Sequence, residues 1–164
     1  MKNYVYTNYS KEHMARAIGV ALPVSFKQSV EICSFIKNRK VGEAKKILQD
    51  VADKKAAIPF KRYNWDLGHK KGIGPGRHPE KASIEFIRLI ESAEANAQFK
   101  GLNTSNLIIA HISAHKAGKS WHFGRKSRRK MKRTNVEIVV EEKKKDQKEA
   151  AKRQKQPAAK TSEV

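Results

Sequence analysis

Residues 107–141 read LIIAHISAHKAGKSWHFGRKSRRKMKRTNVEIVVE, two apolar segments joined by a basic one. Leu107–Ala114 places Ile108, Ala110 and Ile112 on one face of an extended chain, and Val136, Ile138 and Val140 alternate in the same way. Both segments predict strands. About 20 residues separate them, far more than the 2–5 of an ordinary hairpin loop. If the strands pair antiparallel, the intervening chain must project from the body as an arm. Lys116–Arg133 carries nine Lys or Arg and no carboxylate. Alone it repels itself, so a polyanion is the partner that would order it.

Upstream, Pro79 suits the first position of a helix, where its missing N–H costs nothing, and Glu80 suits the same end of the helix dipole. The helix is predicted to run to Lys100 and stop at Gly101, with Ala82, Phe86, Ile90, Ala93 and Ala97 as its apolar stripe. Glu85, Glu91 and Glu94 fall on its solvated side, with Arg88 in pairing range. Ile58–His78 has four glycines and two prolines and reads as a long irregular segment, the kind usually kept for function. Val41, Ala44, Ile47, Leu48 and Val51 predict a helix ending near Lys54 and Lys55, cations that suit a helix C-terminus. Val30, Cys33 and Ile36, widened by Ile32 and Phe35, predict a shorter helix from Ser25 or Ser29 to Asn38. Ala17–Phe26 reads as a strand that Pro23 confines to an edge or a bulge. The order β-ααα-ββ predicts an α+β fold. It comprises a small three-stranded sheet, antiparallel or mixed, three packed helices, and a long protruding β-hairpin at about residues 107–141. Residues 1–142 form one domain in this reading, and 143–164 a basic, solvated tail.

The chain has 164 residues, with 36 Lys and Arg against 16 Asp and Glu, a net charge of +20. Glu141–Val164 holds 8 basic and 5 acidic residues, read together as solvated and mobile, so residues 1–140 keep 28 against 11 and the positive field belongs to the folded part. A second basic cluster lies at Lys61, Arg62, Lys70, Lys71 and Arg77. No run approaches the ~18 apolar residues of a membrane span, and Met1–Ser10 lacks the apolar stretch of a secretory signal, so a cytosolic protein without a membrane partner is expected. Cys33, the sole cysteine, can form no internal disulfide and no thiolate cluster. On a helix it reads as a small core residue.

A nucleic acid is the polyanion that fits. If four or five arm cations reach phosphates, a coefficient of ~0.7 per contact predicts a log–log salt slope near −3 from the arm. Arg125, Arg128, Arg129 and Arg133 can grip phosphate or stack on splayed bases, and Trp121 and Phe123 either stack on bases or pack on each other. RNA is favoured over duplex DNA because no helix carries the clustered side chains of major-groove readers, while irregular basic loops suit irregular RNA. The rival readings are a DNA or chromatin architectural protein, which also needs a basic surface, and a small RNA-processing enzyme using His69 and His78 as acid and base. In a glycine-rich basic loop those histidines read more naturally as RNA contacts or solvated residues. His111 and His115, four apart on a strand, lie roughly 13 Å from one another and hold no common metal. Gly72, Gly74 and Gly76 lack the strand–turn–helix context of a phosphate cradle and read as backbone bends. Neither metal nor cofactor is expected.

Several ordered stretches carry a resemblance: VSFKQSVEICSFIKNRKVGEA (24–44), IPFKRYN (58–64), GRHPEKA (76–82), ESAEANAQFKGL (91–102), HISAHK (111–116) and VEIVVEE (136–142). Together they resemble the universal large-subunit ribosomal protein family number twenty-two, seventeen in the eukaryotic scheme, and its archaeal branch most. The resemblance implies a structural protein of the cytoplasmic large ribosomal subunit, without catalysis. It would bind 23S-type rRNA, aid assembly, neighbour other large-subunit proteins, and help form the exit-tunnel wall along the nascent polypeptide with its hairpin. Joined to the charge map, it implies body contacts to rRNA from Lys61, Arg62, His69, Lys70, Lys71 and Arg77. Arm contacts would come from His115, Lys116, Lys119, Arg125, Lys126, Arg128, Arg129, Lys130, Lys132 and Arg133. The tunnel-facing tip would be Trp121, His122, Phe123, Gly124 and Arg125. The arm departs from the archaeal pattern: in place of a segment like Pro-Arg-Ala-Tyr-Gly-Arg, Phe123, Gly124 and Arg125 lead straight into KSRRKMKR.

Overall fold

The computed structural model describes residues 4–142, and the tail expected at 143–164 lies outside them. In chain order the elements are β1 (Met14–Leu22), α1 (Phe26–Ile36), α2 (Val41–Ala52), the short strands β2 (Ile58–Pro59), β3 (His69–Lys70) and β4 (Gly74–Arg77), α3 (Glu80–Phe99), β5 (Leu107–Lys116) and β6 (Thr134–Glu142). The main sheet has the order β1-β6-β5 and is antiparallel throughout, so the mixed alternative falls away. α3 lies against α2, β1 and β6, while α1 lies against β5.

The predicted α3 stripe is buried in full: Ala82, Phe86, Ile90, Ala93 and Ala97, with Leu89 beside it. Pro79 caps the helix instead of opening it, with Glu80 in the first turn. At the other end Leu102 N–H reaches back to the Ala97 carbonyl (3.1 Å), which closes the last turn. Glu85 and Glu94 are both half-buried and so less solvated than predicted: Lys45 Nζ of α2 sits 2.7 Å from the Glu94 carboxylate, and Glu85 takes Arg88 at 3.4 Å. α2 ends at Ala52, before Lys54 and Lys55, and those cations pair with Glu80 (3.0 Å) and Asp53 (3.2 Å). In α1 the buried line runs through Ser29, Ile32, Cys33 and Ile36, leaving Val30 half-buried. Burial pushes the Cys33 thiol pKa up, as befits a core residue.

The strand expectations need three corrections. In β5 the buried face is Leu107, Ile109 and Ile112, not Ile108, Ala110 and Ile112, because a bulge between Ile109 and His111 inserts one residue opposite β6 and reverses the alternation. β1 begins at Met14, three residues before the predicted Ala17, and stops before Pro23; it does run along a sheet edge. Glu141 and Glu142, assigned by charge to the mobile stretch, are strand residues, with Glu141 opposite both Met14 and Ile108.

The segment Ile58–His78 is not wholly irregular, because β2, β4 and β3 form a small antiparallel sheet in that order. Two of the three glycines read as bends are bends: Gly72 and Gly74 turn the chain at positive φ from β3 into β4, whereas Gly76 is a strand residue paired with Pro59. Gly76 lies where a Cβ would come within 3.1 Å of the Ile58 carbonyl oxygen, too close for a larger residue without movement.

Residues before β1 carried no expectation, yet they finish the sheet. Val136, Ile138 and Val140 of β6 face the helices, whereas Glu137 and Val139 point the opposite way and are buried too. The N-terminal segment crosses that second face. Glu137 accepts hydrogen bonds from Val5 N–H (2.8 Å) and Tyr6 N–H (3.1 Å), Tyr6 stacks on His111 with ring centroids 4.7 Å apart, and Arg16 lies over Tyr4 and Tyr9.

Candidate nucleic-acid interface

The arm continues the β5–β6 ladder beyond the sheet. Ala117 N–H donates to Arg133 O (3.3 Å), Met131 N–H to Ser120 O (2.8 Å) and His122 N–H to Arg129 O (2.9 Å), with Trp121 opposite Lys130. A short 3-10 turn, Gly124–Lys126, reverses the chain, and Gly124 takes φ 65°, a region that side chains disfavour. The root is fastened to the body. Arg133 Nη1 donates to Ala21 O (3.1 Å), Thr134 Oγ1 to Val24 O (3.1 Å), and the Asn135 Oδ1 accepts from Ala21 N–H (2.8 Å). Arg133 therefore braces the hairpin with part of its guanidinium, whereas Lys119, Arg125, Lys126, Arg128, Arg129, Lys130 and Lys132 are exposed.

None of the nine arm cations has a carboxylate partner among the described residues. Lys130 Nζ lies 4.7 Å above the Trp121 ring and Phe123 is 87% exposed, so these aromatics do not bury each other. His122 is half-buried; His115, exposed, has Nε2 3.1 Å from Ser113 Oγ; and Lys116 Nζ lies 5.6 Å from the Phe26 ring centroid.

The body cluster rests on a feature that composition does not reveal. Glu31 of α1 is 3% exposed, and its carboxylate accepts three consecutive backbone N–H groups: Lys61 (3.1 Å), Arg62 (2.8 Å) and Tyr63 (2.8 Å). The anion fixes the backbone of the basic loop while the Lys61 and Arg62 side chains stay in solvent. His69, Lys70, Lys71 and Arg77 are exposed along β3, its turn and β4. His78 is set apart, its Nδ1 2.8 Å from the Ala56 carbonyl oxygen, so it serves the packing of this loop.

The two predicted basic surfaces meet. A cleft of about 230 Å³ brings Lys132 of the arm together with Arg77, Lys27, Gln28, Tyr63 and Trp65 of the body. Tyr63, Trp65, Lys27 and Gln28 were not among the predicted contacts. The legible signal was the interleaving of aromatics with cations in FKRYNW, residues 60–65. Burial draws the His111 pKa down and the Glu137 carboxylate opposes this, and no cluster of three or more metal-ligating side chains occurs among the described residues. Nor is any described helix long and apolar enough to cross a membrane.

Residues 17–141 match the family model described as "Ribosomal protein L22p/L17e". The chain is 40% identical to the large ribosomal subunit protein uL22 of Archaeoglobus fulgidus, over 85% of this chain and 95% of that protein. It is 45% identical to the uL22 of Methanoculleus marisnigri, over 80% and 91%, and 46% identical to that of Thermoplasma volcanium, over 68% and 75%.

Proposed function

The chain belongs to the ribosomal protein L22p/L17e family, and from that premise we propose that it is a structural constituent of the large ribosomal subunit, held to rRNA at two ends of one basic surface. It acts in the cytoplasmic ribosome, associates with the subunit's rRNA and proteins, and has no catalytic role. The body docks through Lys61, Arg62, Lys70, Lys71 and Arg77, whose loop the buried Glu31 shapes in advance. The arm docks through the exposed cations between Lys116 and Lys132. Its tip, Trp121–Arg125, lines the exit tunnel and meets the nascent polypeptide. Residues 143–164 add no more than weak surface contact.

One observation carries this reading: nine cations on a projecting hairpin, none with a carboxylate partner among the described residues. Left unneutralised they repel one another, and the phosphates of a nucleic-acid backbone supply counter-charge in quantity. Cross-linking of purified ribosomes, with and without a stalled nascent chain, tests it. Residues 116–133 should link to large-subunit rRNA beside the tunnel, and 121–125 to the stalled peptide. Links to the small subunit alone, to DNA alone or to nothing would overturn the docking, and the absence of peptide links would overturn the tip assignment.

A further inference from the structure

The cleft between arm and body has a composition the overall positive charge does not require. Its lining carries three cations, Lys27, Arg77 and Lys132, and no carboxylate. Two aromatic rings, Tyr63 and Trp65, stand among them. Tyr63 is flanked by Lys27 Nζ and Arg62 Cζ, each 5.6 Å from its ring centroid. Trp65 is 84% exposed, so its face is open. An exposed indole beside three cations offers an open apolar face on which a planar group can stack. Gln28 adds an amide that can both donate and accept. Ser25 supplies no side-chain cap to α1, so first-turn N–H groups at the cleft remain for an anion. At about 230 Å³ the space falls below the ~300–1,000 Å³ of a drug-sized pocket. It admits one ring system, not a folded element.

We propose that this cleft receives a single unstacked nucleotide of the bound RNA, its base lying on Trp65, its edge read by Gln28, and its phosphate held by Lys27, Arg77 and Lys132. The inference rests on the RNA-binding reading above. It adds a specific demand: the RNA must offer an extruded base, because a paired duplex cannot lay a base face against an aromatic ring. The arm and the body also become coupled, since Lys132 completes a site whose other parts lie on α1, the basic loop and β4.

Binding of the full chain to two RNA hairpins of one stem, one fully paired and one with a single bulged nucleotide, tests this at 0.1 M salt. The parent should prefer the bulged hairpin. Trp65→Ala should reduce that preference roughly tenfold, the scale of one base–aromatic stack, while Trp65→Phe should retain most of it. With Trp121→Phe as background, Trp65 fluorescence should quench with the bulged RNA and not with the paired one. Trp65 is exposed, so these variants should unfold at the parent's denaturant midpoint. A parent that binds both hairpins equally, or an unchanged preference in Trp65→Ala, overturns the cleft assignment and leaves the arm's role standing. A parent that binds neither hairpin overturns both.

Discussion

The basic loop at 61–63 and the basic arm at 117–133 carry charge of the same sign and are held in different ways. Beneath the loop lies a buried carboxylate, Glu31, that takes three consecutive backbone N–H groups. The N-terminal segment is held likewise, with Glu137 taking the amides of Val5 and Tyr6. Among the described residues the arm has no such anchor. Beyond its root it is fastened by a few cross-strand bonds and the Lys130–Trp121 contact. A carboxylate that collects several amides at once fixes backbone shape before any partner arrives, because its charge-assisted bonds outweigh the entropy of ordering a few residues. A cationic hairpin whose side chains face water lacks that support. The body thus presents a finished surface, whereas the arm, on the proposed reading, would gain its remaining support from the phosphates that neutralise it.

The sharpest break of this contrast is Glu31→Ala, which leaves three amides without their shared acceptor. It should lower stability by about 3 kcal/mol in urea titration and speed amide exchange at residues 61–63. An unchanged midpoint would mean the loop is shaped by something else. Next in size, changing Arg125, Arg128 and Arg129 together to Ala should leave stability within ~0.5 kcal/mol of the parent. It should also flatten the rRNA salt slope by about 2 and weaken binding roughly a hundredfold at 0.1 M salt. Three Lys→Ala changes after Glu142 should do little; equal effects would show that position in the arm is irrelevant.

The smallest effect lies at His111, beside the Glu137 clamp. Burial lowers its pKa in the folded chain, so the unfolded chain binds the proton more readily. Stability should hold above about pH 6.5, decline as pH falls below the unfolded pKa, and level off beneath the lower folded value. His111→Gln should remove that decline from urea midpoints measured between pH 7.5 and 5, and an unaltered slope would place the titration elsewhere.

Helices were legible where a residue's own period specifies its surroundings. The α3 stripe from Ala82 to Ala97 follows from spacing alone, and every member is buried. The arm was legible because charge without counter-charge is a property of composition. What escaped depends on partners. LIIAHIS offers apolar residues on both faces, so period-two reasoning had no means of finding the bulge after Ile109, which only pairing with β6 reveals. Glu31 lies one residue from Ile32 on a helix whose apolar stripe hides it, and its partners are 30 and more residues away. Trp65 and Tyr63 are near in sequence to Lys61 and Arg62, yet their meeting with Lys132 is set by how the hairpin root is bolted to Ala21 and Val24.

β6 is the last element of the described chain and the middle strand of the main sheet. A ribosome that has made β1 must add more than a hundred further residues before Met14 can meet Glu141, on the order of ten seconds at roughly 5–20 residues per second. Helical contacts among α1, α2 and α3 can form meanwhile, being closer in sequence. The sheet itself closes last, with β1 and β5 each presenting a bare edge until then. Synthesis halted between Lys116 and Thr134 therefore releases a chain with two open strand edges and a half-built cationic arm, a product prone to misassociation in a way that the finished protein is not.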